Sequence, residues 1–145
     1  MIEPIELERR IAATPARVFA AWREPRDLER WVWGSIGKDC RAEVDFRVGG
    51  AFAISTLRDD GARWTMHGEY TQIEPDRRVA HTLRWDAPMG YGPVEERIGV
   101  ELIEDGPFTV VRFRHEGDFG AGARAGHVEG WGNVLDSLRA WVEPA

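Results

Sequence analysis

Glu96 and His115 are the two residues of this sequence whose types and predicted positions could support acid–base chemistry. A turn at residues 104–107 predicts a hairpin in which Val100 lies opposite Val111. The same register places Glu96 opposite His115 on a mostly apolar face. The carboxylate would favour the charged imidazolium, whereas burial would oppose it. A ligand-contacting pair and an ion pair at the rim of the sheet both fit this pattern.

The other histidines are weaker candidates for a site. His127 stands four residues before Trp131 on a predicted helix. It either contacts a ligand at one end of a cavity or caps the apolar stripe of that helix. His67 falls on the solvent face of its predicted strand. The four histidines show no metal-ligand spacing, and we therefore expect neither a metal nor a cofactor.

The inner face of the sheet follows from a second hairpin, whose Glu-Pro-Asp turn pairs Tyr70 with His81. Strand alternation then assigns to one concave, apolar face Met66, Gly68, Tyr70, Val79, His81, Leu83 and Trp85. The preceding strand fits less well, because its pairing places two apolar residues, Phe52 and Ile54, opposite outward-facing polar ones. A bulge near Gly68 is predicted to resolve this conflict.

The elements that position these residues are predicted from apolar periodicity, proline and glycine. Thr14 before Pro15 is typical of a helix start, and Pro25 begins a second short helix. Between the strands, residues 88–93 are predicted to form a loop. The predicted order is a strand at 5–11, two short helices, strands within 42–48, 51–57, 64–73, 79–85, 98–102 and 109–115, and one long helix after residue 120.

The last helix carries an apolar stripe of His127, Trp131, Val134, Leu135, Leu138 and Val142. Gly126, Gly130 and Gly132 weaken that helix and predict that its first half lies close to a neighbouring wall. Hairpin connections dominate, so the strands form a meander that curls under the helix. The fold class is α+β: a curved antiparallel sheet of six to seven strands around a long C-terminal helix, in one domain spanning 1–145.

The composition of the chain argues against several classes of function. The 145 residues carry a net charge of -6 and no dense basic stripe, which argues against nucleic-acid binding. No apolar run reaches the ~20 residues of a membrane span, and the N-terminus lacks the pattern of a signal peptide, so we expect a cytoplasmic protein. The single cysteine, Cys40, excludes an internal disulfide and is expected to be structural. Seven tryptophans could fill a core or line a cavity.

Several short motifs recur in a fixed order along most of the chain, from about Ile5 to Trp141. They are TPARVFAAW (14–22), LERW (28–31), DFRVGG (45–50), GEY (68–70), IEP (73–75), HEG (115–117) and GW (130–131), followed by Leu135 and Leu138. In order and spacing they resemble the START-related, birch-allergen-like helix-grip superfamily (SRPBCC). The nearest branch is that of homologues of the activator of the ninety-kilodalton heat-shock protein's ATPase. The resemblance implies a helix-grip fold, a cytoplasmic hydrophobic-ligand binder and no shared catalytic set.

The leading functional prediction is a cavity that binds a small apolar or amphipathic molecule. The residues expected to contact it are Met66, Tyr70, His81, Trp85, Glu96, His115, His127 and Trp131. Two alternatives stay open: a cofactor-free enzyme with Glu96 and His115 as acid and base, and a co-chaperone-like modulator of a heat-shock protein ATPase. A cavity filled by Trp85 and Trp131 would favour the interaction role. Exposed Trp31 and Trp33 would make a homodimer patch.

Overall fold

The computed structural model describes residues 3–86, 95–117 and 124–144. Within these residues the elements follow the predicted order, and the loop predicted at 88–93 lies outside them. In chain order the elements are β1 (Ile5–Ile11), α1 (Pro15–Arg23), α2 (Pro25–Trp31), a 3-10 helix (Gly34–Ile36), β2 (Arg41–Val44), β3 (Ala51–Leu57), β4 (Arg63–Glu74), β5 (Arg78–Trp85), β6 (Glu96–Asp105), β7 (Phe108–Glu116) and α3 (Arg124–Val142).

The strands form one antiparallel sheet in the order β1-β7-β6-β5-β4-β3-β2. From β2 to β7 each strand bonds to the next one along the chain, so this part is the predicted meander. The first strand closes the sheet beside the last. The sheet is curved, and α3 lies on its concave face. The α+β helix-grip prediction is therefore confirmed.

Local sequence chemistry produces the bent pair of short helices. Thr14 caps α1, because its Oγ1 accepts a hydrogen bond from the backbone N–H of Arg17 at 3.2 Å. Pro15 follows at the first helical position, where its missing N–H costs nothing. Glu24 ends α1 in an extended conformation, which is the conformation that a following proline favours. Pro25 then begins α2 in a new direction.

The long helix α3 packs through the predicted stripe. Its buried residues are His127, Trp131, Leu135, Leu138 and Val142. Leu135 and Leu138 are fully buried, which stabilises the fold by roughly 1.5–3 kcal/mol each. Polar contacts also hold the helix in place: among them, Arg9 Nε lies 2.8 Å from Asp136 Oδ1, and Asn133 Oδ1 accepts the backbone N–H of Ser35 at 3.0 Å. None of the helices in the described ranges has the length and apolar character that crossing a membrane requires.

Two of the three helix glycines do not behave as predicted. A Cβ built on Gly126 or Gly130 meets no atom of the described residues within 4 Å, and one on Gly132 meets only Arg9 Nη2, at 3.3 Å. The prediction that the glycines bring the helix close to the sheet is wrong for Gly126 and Gly130, whereas at Gly132 the helix does approach Arg9 of β1. Gly126 and Gly130 each directly precede a packing residue in the sequence. Each therefore lies about 100° away from that residue around the helix axis, on a side of α3 that is not packed against the sheet.

The register of β4 and β5 confirms the pairing of Tyr70 with His81. One extra residue, Thr71, interrupts the ladder before Gln72 pairs with Ala80. A bulge therefore exists, but it lies beyond Tyr70 and not beside β3.

The predicted conflict between β3 and β4 does not occur. Phe52 lies opposite Gly68, and Ile54 lies opposite Met66, so all four share the inner face. The reason is the connection at residues 58–62, where Gly61 adopts a positive φ of 87° and the ladder begins only at Leu57 and Arg63. A connection with an odd number of residues sets this register, which a two-residue turn would not.

The hairpin of β6 and β7 differs from its predicted register by two residues. His115 pairs with Ile98 instead of Glu96, and the other predicted pairs are displaced equally. The turn lies one residue further along the chain than expected, because Gly106, with φ at 59°, and Pro107 connect the strands instead of Asp105 and Gly106. A two-residue displacement keeps every side chain on the same face, so Glu96 still lies beside His115 as a diagonal neighbour.

Strand β2 is shorter than predicted, and the condition for a tryptophan patch on the surface is not met. Strand β2 ends at Val44, before Phe46 and Val48, and Val48 is 63% exposed. Trp31 and Trp33 are only 2% and 7% exposed, so they do not form a homodimer patch. Their indole N–H groups donate to backbone carbonyls, those of Ala21 and Ile54 respectively. A buried acceptor for each indole nitrogen explains why both rings lie in the core.

Gly68→Ala is expected to destabilise the fold by about 1–3 kcal/mol, since its Cβ would lie 2.0 Å from the backbone oxygen of Thr82. Gly130→Ala is the matched control, and we expect it to be neutral or stabilising by roughly 0.5–1 kcal/mol. Urea denaturation followed by circular dichroism measures both. Equal stability of Gly68→Ala and the unmodified chain would contradict the close approach of β4 and β5.

Candidate functional site

The space enclosed between the sheet and α3 is small. Its volume is about 40 Å³, and the side chains around it include Trp22, Phe52, Tyr70, His81, Phe113 and Trp131. A volume of this size accommodates a water molecule or two, whereas sites for organic ligands measure roughly 300–1,000 Å³. The enclosed cavity alone is therefore too small for the predicted ligand.

A larger groove adjoins this cavity. It has a volume of about 400 Å³ and lies between the 3-10 helix, the start of α3, the start of β4 and the end of β5. Its wall includes Trp33, Trp64, Met66, Trp85, His127 and Trp131. Met66 and Trp131 also line the inner cavity, so the two spaces are neighbours across these side chains. The groove falls within the size range of small-molecule sites.

The residues predicted from sequence gather on this concave side in three groups. Met66, Trp85, His127 and Trp131 line the groove; Tyr70 and His81 line the inner cavity; Glu96 and His115 are buried beneath them. Sequence reasoning missed Trp33 and Trp64 as groove residues. Trp33 follows α2 in an irregular segment, where no periodicity indicates which way a side chain points.

A buried hydrogen-bonded chain connects α3 to the sheet beneath the groove. The indole Nε1–H of Trp131 donates to Nδ1 of His115 at 2.9 Å. An indole nitrogen is only a donor, so Nδ1 accepts and the ring proton of His115 resides on Nε2. That Nε2–H donates to Oε1 of Glu96. The other oxygen, Oε2, accepts the indole N–H of Trp85 at 2.7 Å.

This chain of bonds changes the interpretation of the Glu96–His115 pair. The pair is not at the rim, because Glu96 is 6% exposed and His115 is 0% exposed. Both carboxylate oxygens accept N–H groups, and His115 is a neutral imidazole whose two nitrogens are engaged. Proton transfer to a substrate would first require these bonds to break. The geometry favours a role in holding Trp85 and Trp131 in place over a role as acid and base.

Three titratable side chains of this face, His81, His127 and Tyr70, have pKa values shifted towards their neutral forms. Burial lowers the pKa of His81 to about 4, although its Nδ1–H donates to the carbonyl of Thr82 at 2.7 Å and so opposes the change. Burial lowers the pKa of His127, and the Glu96 carboxylate partly offsets this change. Burial also raises the pKa of the Tyr70 hydroxyl. At pH 7 the pKa values of His81 and His127 keep both rings uncharged.

In the parts of the chain that the structure describes, no group of three or more His, Cys, Asp or Glu side chains is placed to hold a metal ion. His67 lies on the outer face, as predicted, and its Nε2 is 2.8 Å from Asp86 Oδ1. Cys40 is partly buried, with its Sγ 3.5 Å from Thr56 Oγ1.

Comparison with known proteins gives one family. Residues 12–143 match the family described as Activator of Hsp90 ATPase homolog 1-like protein. A comparison with curated proteins finds no match.

Solved structures resemble the chain over almost its whole length. Protein CV1439 from Chromobacterium violaceum is 26% identical, with a TM-score of 0.81, and the alignment covers 99% of this chain and 100% of that one. The Mll3558 protein from Rhizobium loti is 26% identical, with a TM-score of 0.79 and 95% of each chain covered. A protein from Arthrobacter aurescens is 25% identical, with a TM-score of 0.80 and 98% and 87% covered.

Glu96→Gln is expected to lower the free energy of unfolding by about 2–4 kcal/mol, because an amide presents an NH₂ group to one of two buried N–H donors. Glu95→Gln is the matched control. Glu95 is exposed and pairs with Arg84 at 3.1 Å, so its loss should cost at most about 1 kcal/mol. Chemical denaturation at pH 7.5 compares the two. Equal losses would contradict the buried network.

Stability is expected to fall as the pH decreases from 6.5 to 4. His81 has its ordinary pKa of 6.5 in the unfolded chain and one of about 4 in the folded chain, so the unfolded state binds more protons in this window. The contribution is fully present above pH 6.5 and is lost at up to about 1.4 kcal/mol per pH unit.

His81→Gln removes this titration and should make stability less dependent on pH between 6.5 and 4. Denaturant midpoints at several pH values measure the slope for each protein. The comparison concerns slopes, so any constant destabilisation by the substitution cancels. Identical slopes for the two proteins would exclude His81 as the titrating group.

Proposed function

This chain belongs to the family of Activator of Hsp90 ATPase homolog 1-like proteins, and from that premise we propose that it binds a small hydrophobic or amphipathic molecule. The groove between α3, the 3-10 helix, the start of β4 and the end of β5 is the proposed site. The observation that carries the proposal is that this groove of about 400 Å³ is lined by four tryptophans, whereas the inner cavity measures only 40 Å³. The fold itself commonly holds hydrophobic ligands.

The wall of the groove suits an apolar ligand because hydrogen bonds already hold its aromatic rings in place. The N–H of Trp85 is bonded to Glu96, that of Trp131 to His115 and that of Trp33 to the carbonyl of Ile54. Rings held in this way lose little freedom when a ligand arrives, so more of the apolar contact energy remains as affinity. In this proposal Glu96 and His115 act as positioning residues and do not contact the ligand.

Met66 gives the proposed site some capacity to adapt. Its side chain lies between the groove and the inner cavity and is buried. Methionine is unbranched and flexible, so a change of rotamer can extend the groove inward without moving the backbone. Tyr70 and His81 would then contact the deepest part of a ligand.

A second candidate function is modulation of a heat-shock protein ATPase. It is favoured by the small inner cavity, which Trp131 helps to fill, and by the family description. Adding the chain to a purified ninety-kilodalton heat-shock protein and measuring ATP hydrolysis tests it. An unchanged rate at saturating concentration would eliminate this function. The cytoplasmic location stays a prediction from the sequence.

Gly130→Phe is expected to weaken binding of the neutral dye Nile red at least tenfold. Gly130 lines the groove and its Cβ position meets no described atom, so a phenyl ring can occupy the groove without disturbing the core. Ala140→Phe is the matched control, since this exposed residue of α3 lies outside the groove. Dye fluorescence and quenching of the tryptophans both report binding.

Native mass spectrometry of the gently purified protein complements the dye titration, because it detects a retained ligand directly. Equal dye affinities of Gly130→Phe and the unmodified chain would exclude the groove as the site. Failure of the unmodified chain to bind the dye, together with a mass that shows no ligand, would exclude the proposed function.

A further inference from the structure

The side chains that line the groove carry negative charge but no positive charge. Within the described residues, its wall contains no lysine or arginine and one carboxylate, that of the exposed Glu129. His127 also lines the groove, and its lowered pKa keeps the ring uncharged at pH 7. An anion entering this space would meet no compensating cation on the wall.

Glu96 does not line the groove, but it adds a second negative charge next to the wall, where it accepts the N–H of Trp85. Glu96 is buried with both of its oxygens accepting N–H groups, which is how an ionised carboxylate is stabilised. Its partner His115 is neutral, because Nδ1 accepts the Trp131 N–H, so the pair retains a net charge of about -1. Charges in a partly dry site act over longer distances than charges in water. This carboxylate lies directly behind Trp85, a ring of the groove wall.

The aromatic rings of the wall are suited to a positive charge. Trp33, Trp64, Trp85 and Trp131 all line the groove, and tryptophan is the side chain whose face attracts cations most strongly. The bond from Trp85 Nε1–H to Glu96 polarises that indole and makes its face more negative. Trp64 already attracts a cation within the chain: the guanidinium carbon of Arg58 is 4.4 Å from its ring centroid. Arg58 itself does not line the groove.

We propose that the groove selects an organic cation with an apolar body, such as an amphipathic quaternary ammonium compound, over an anion of the same size. The apolar part would contact Met66, and the cationic head would lie among the indole faces near Glu129. The inference rests on the proposed ligand-binding function and names the class of ligand.

Three small probes of similar shape test the selection: phenyltrimethylammonium, the uncharged tert-butylbenzene and benzenesulfonate. Quenching of the tryptophans at about 0.15 M salt gives each dissociation constant. We expect the cation to bind at least tenfold more tightly than the anion. Benzenesulfonate binding as tightly as the cation would overturn the inference, while binding of Nile red and tert-butylbenzene would leave the ligand-binding function intact. Binding of none of the three probes and no Nile red would overturn both.

Two variants separate charge and ring contributions from apolar area. Trp64→Leu should weaken phenyltrimethylammonium binding about two- to fivefold and change tert-butylbenzene binding little, because leucine keeps apolar area and removes the π face. Glu129→Gln should weaken only the cation, about twofold, whereas Glu104→Gln, an exposed carboxylate remote from the groove, should change nothing. Equal losses for the cation and the uncharged probe in both groove variants would overturn the inference.

Discussion

The hydrogen bond from Trp131 to His115 is the contact on which the rest of the site depends. It joins α3 to β7 and fixes which nitrogen of the imidazole carries the proton. That choice directs Nε2–H to Glu96, and the second oxygen of Glu96 then holds the indole of Trp85 on β5. One donor-only indole nitrogen therefore determines a tautomer, the charge of a buried pair and the position of an aromatic wall.

The inner face of the sheet could be predicted because side chains alternate with a period of two. Tyr70 and His81 lie opposite each other as expected, and Glu96 remains beside His115 although their predicted register was displaced by two residues. An even displacement leaves each side chain on its face, so the shifted turn between β6 and β7 did not alter which of their residues share the inner face. The stripe of α3 was predictable for the analogous reason, since its helical period survives uncertainty about where the helix begins.

The part of the groove wall that Trp33 forms could not be predicted from the sequence. Trp33 lies in an irregular segment, and its orientation depends on an acceptor carbonyl, that of Ile54, in a distant strand. The proton position on His115 likewise depends on a residue of α3 that only the fold brings near. Gly130 was misjudged because the sequence indicates a missing side chain without indicating which space it leaves open. These features result from tertiary contacts between segments that are distant in the sequence. The local periodicity of apolar residues does not indicate such contacts.

The place of β1 in the sheet has a consequence for how the chain folds. This strand is synthesised before the rest of the sheet, yet among the described strands it pairs only with β7, which is made last. Ile5 and Ile11 are fully buried in the finished protein and stay uncovered until that partner exists. The loop that β1 closes spans most of the chain, so its docking carries the largest entropic cost of any strand pair. During synthesis, β1 therefore exposes apolar side chains that have no partner strand yet. The pairing of β1 with β7 then completes the sheet.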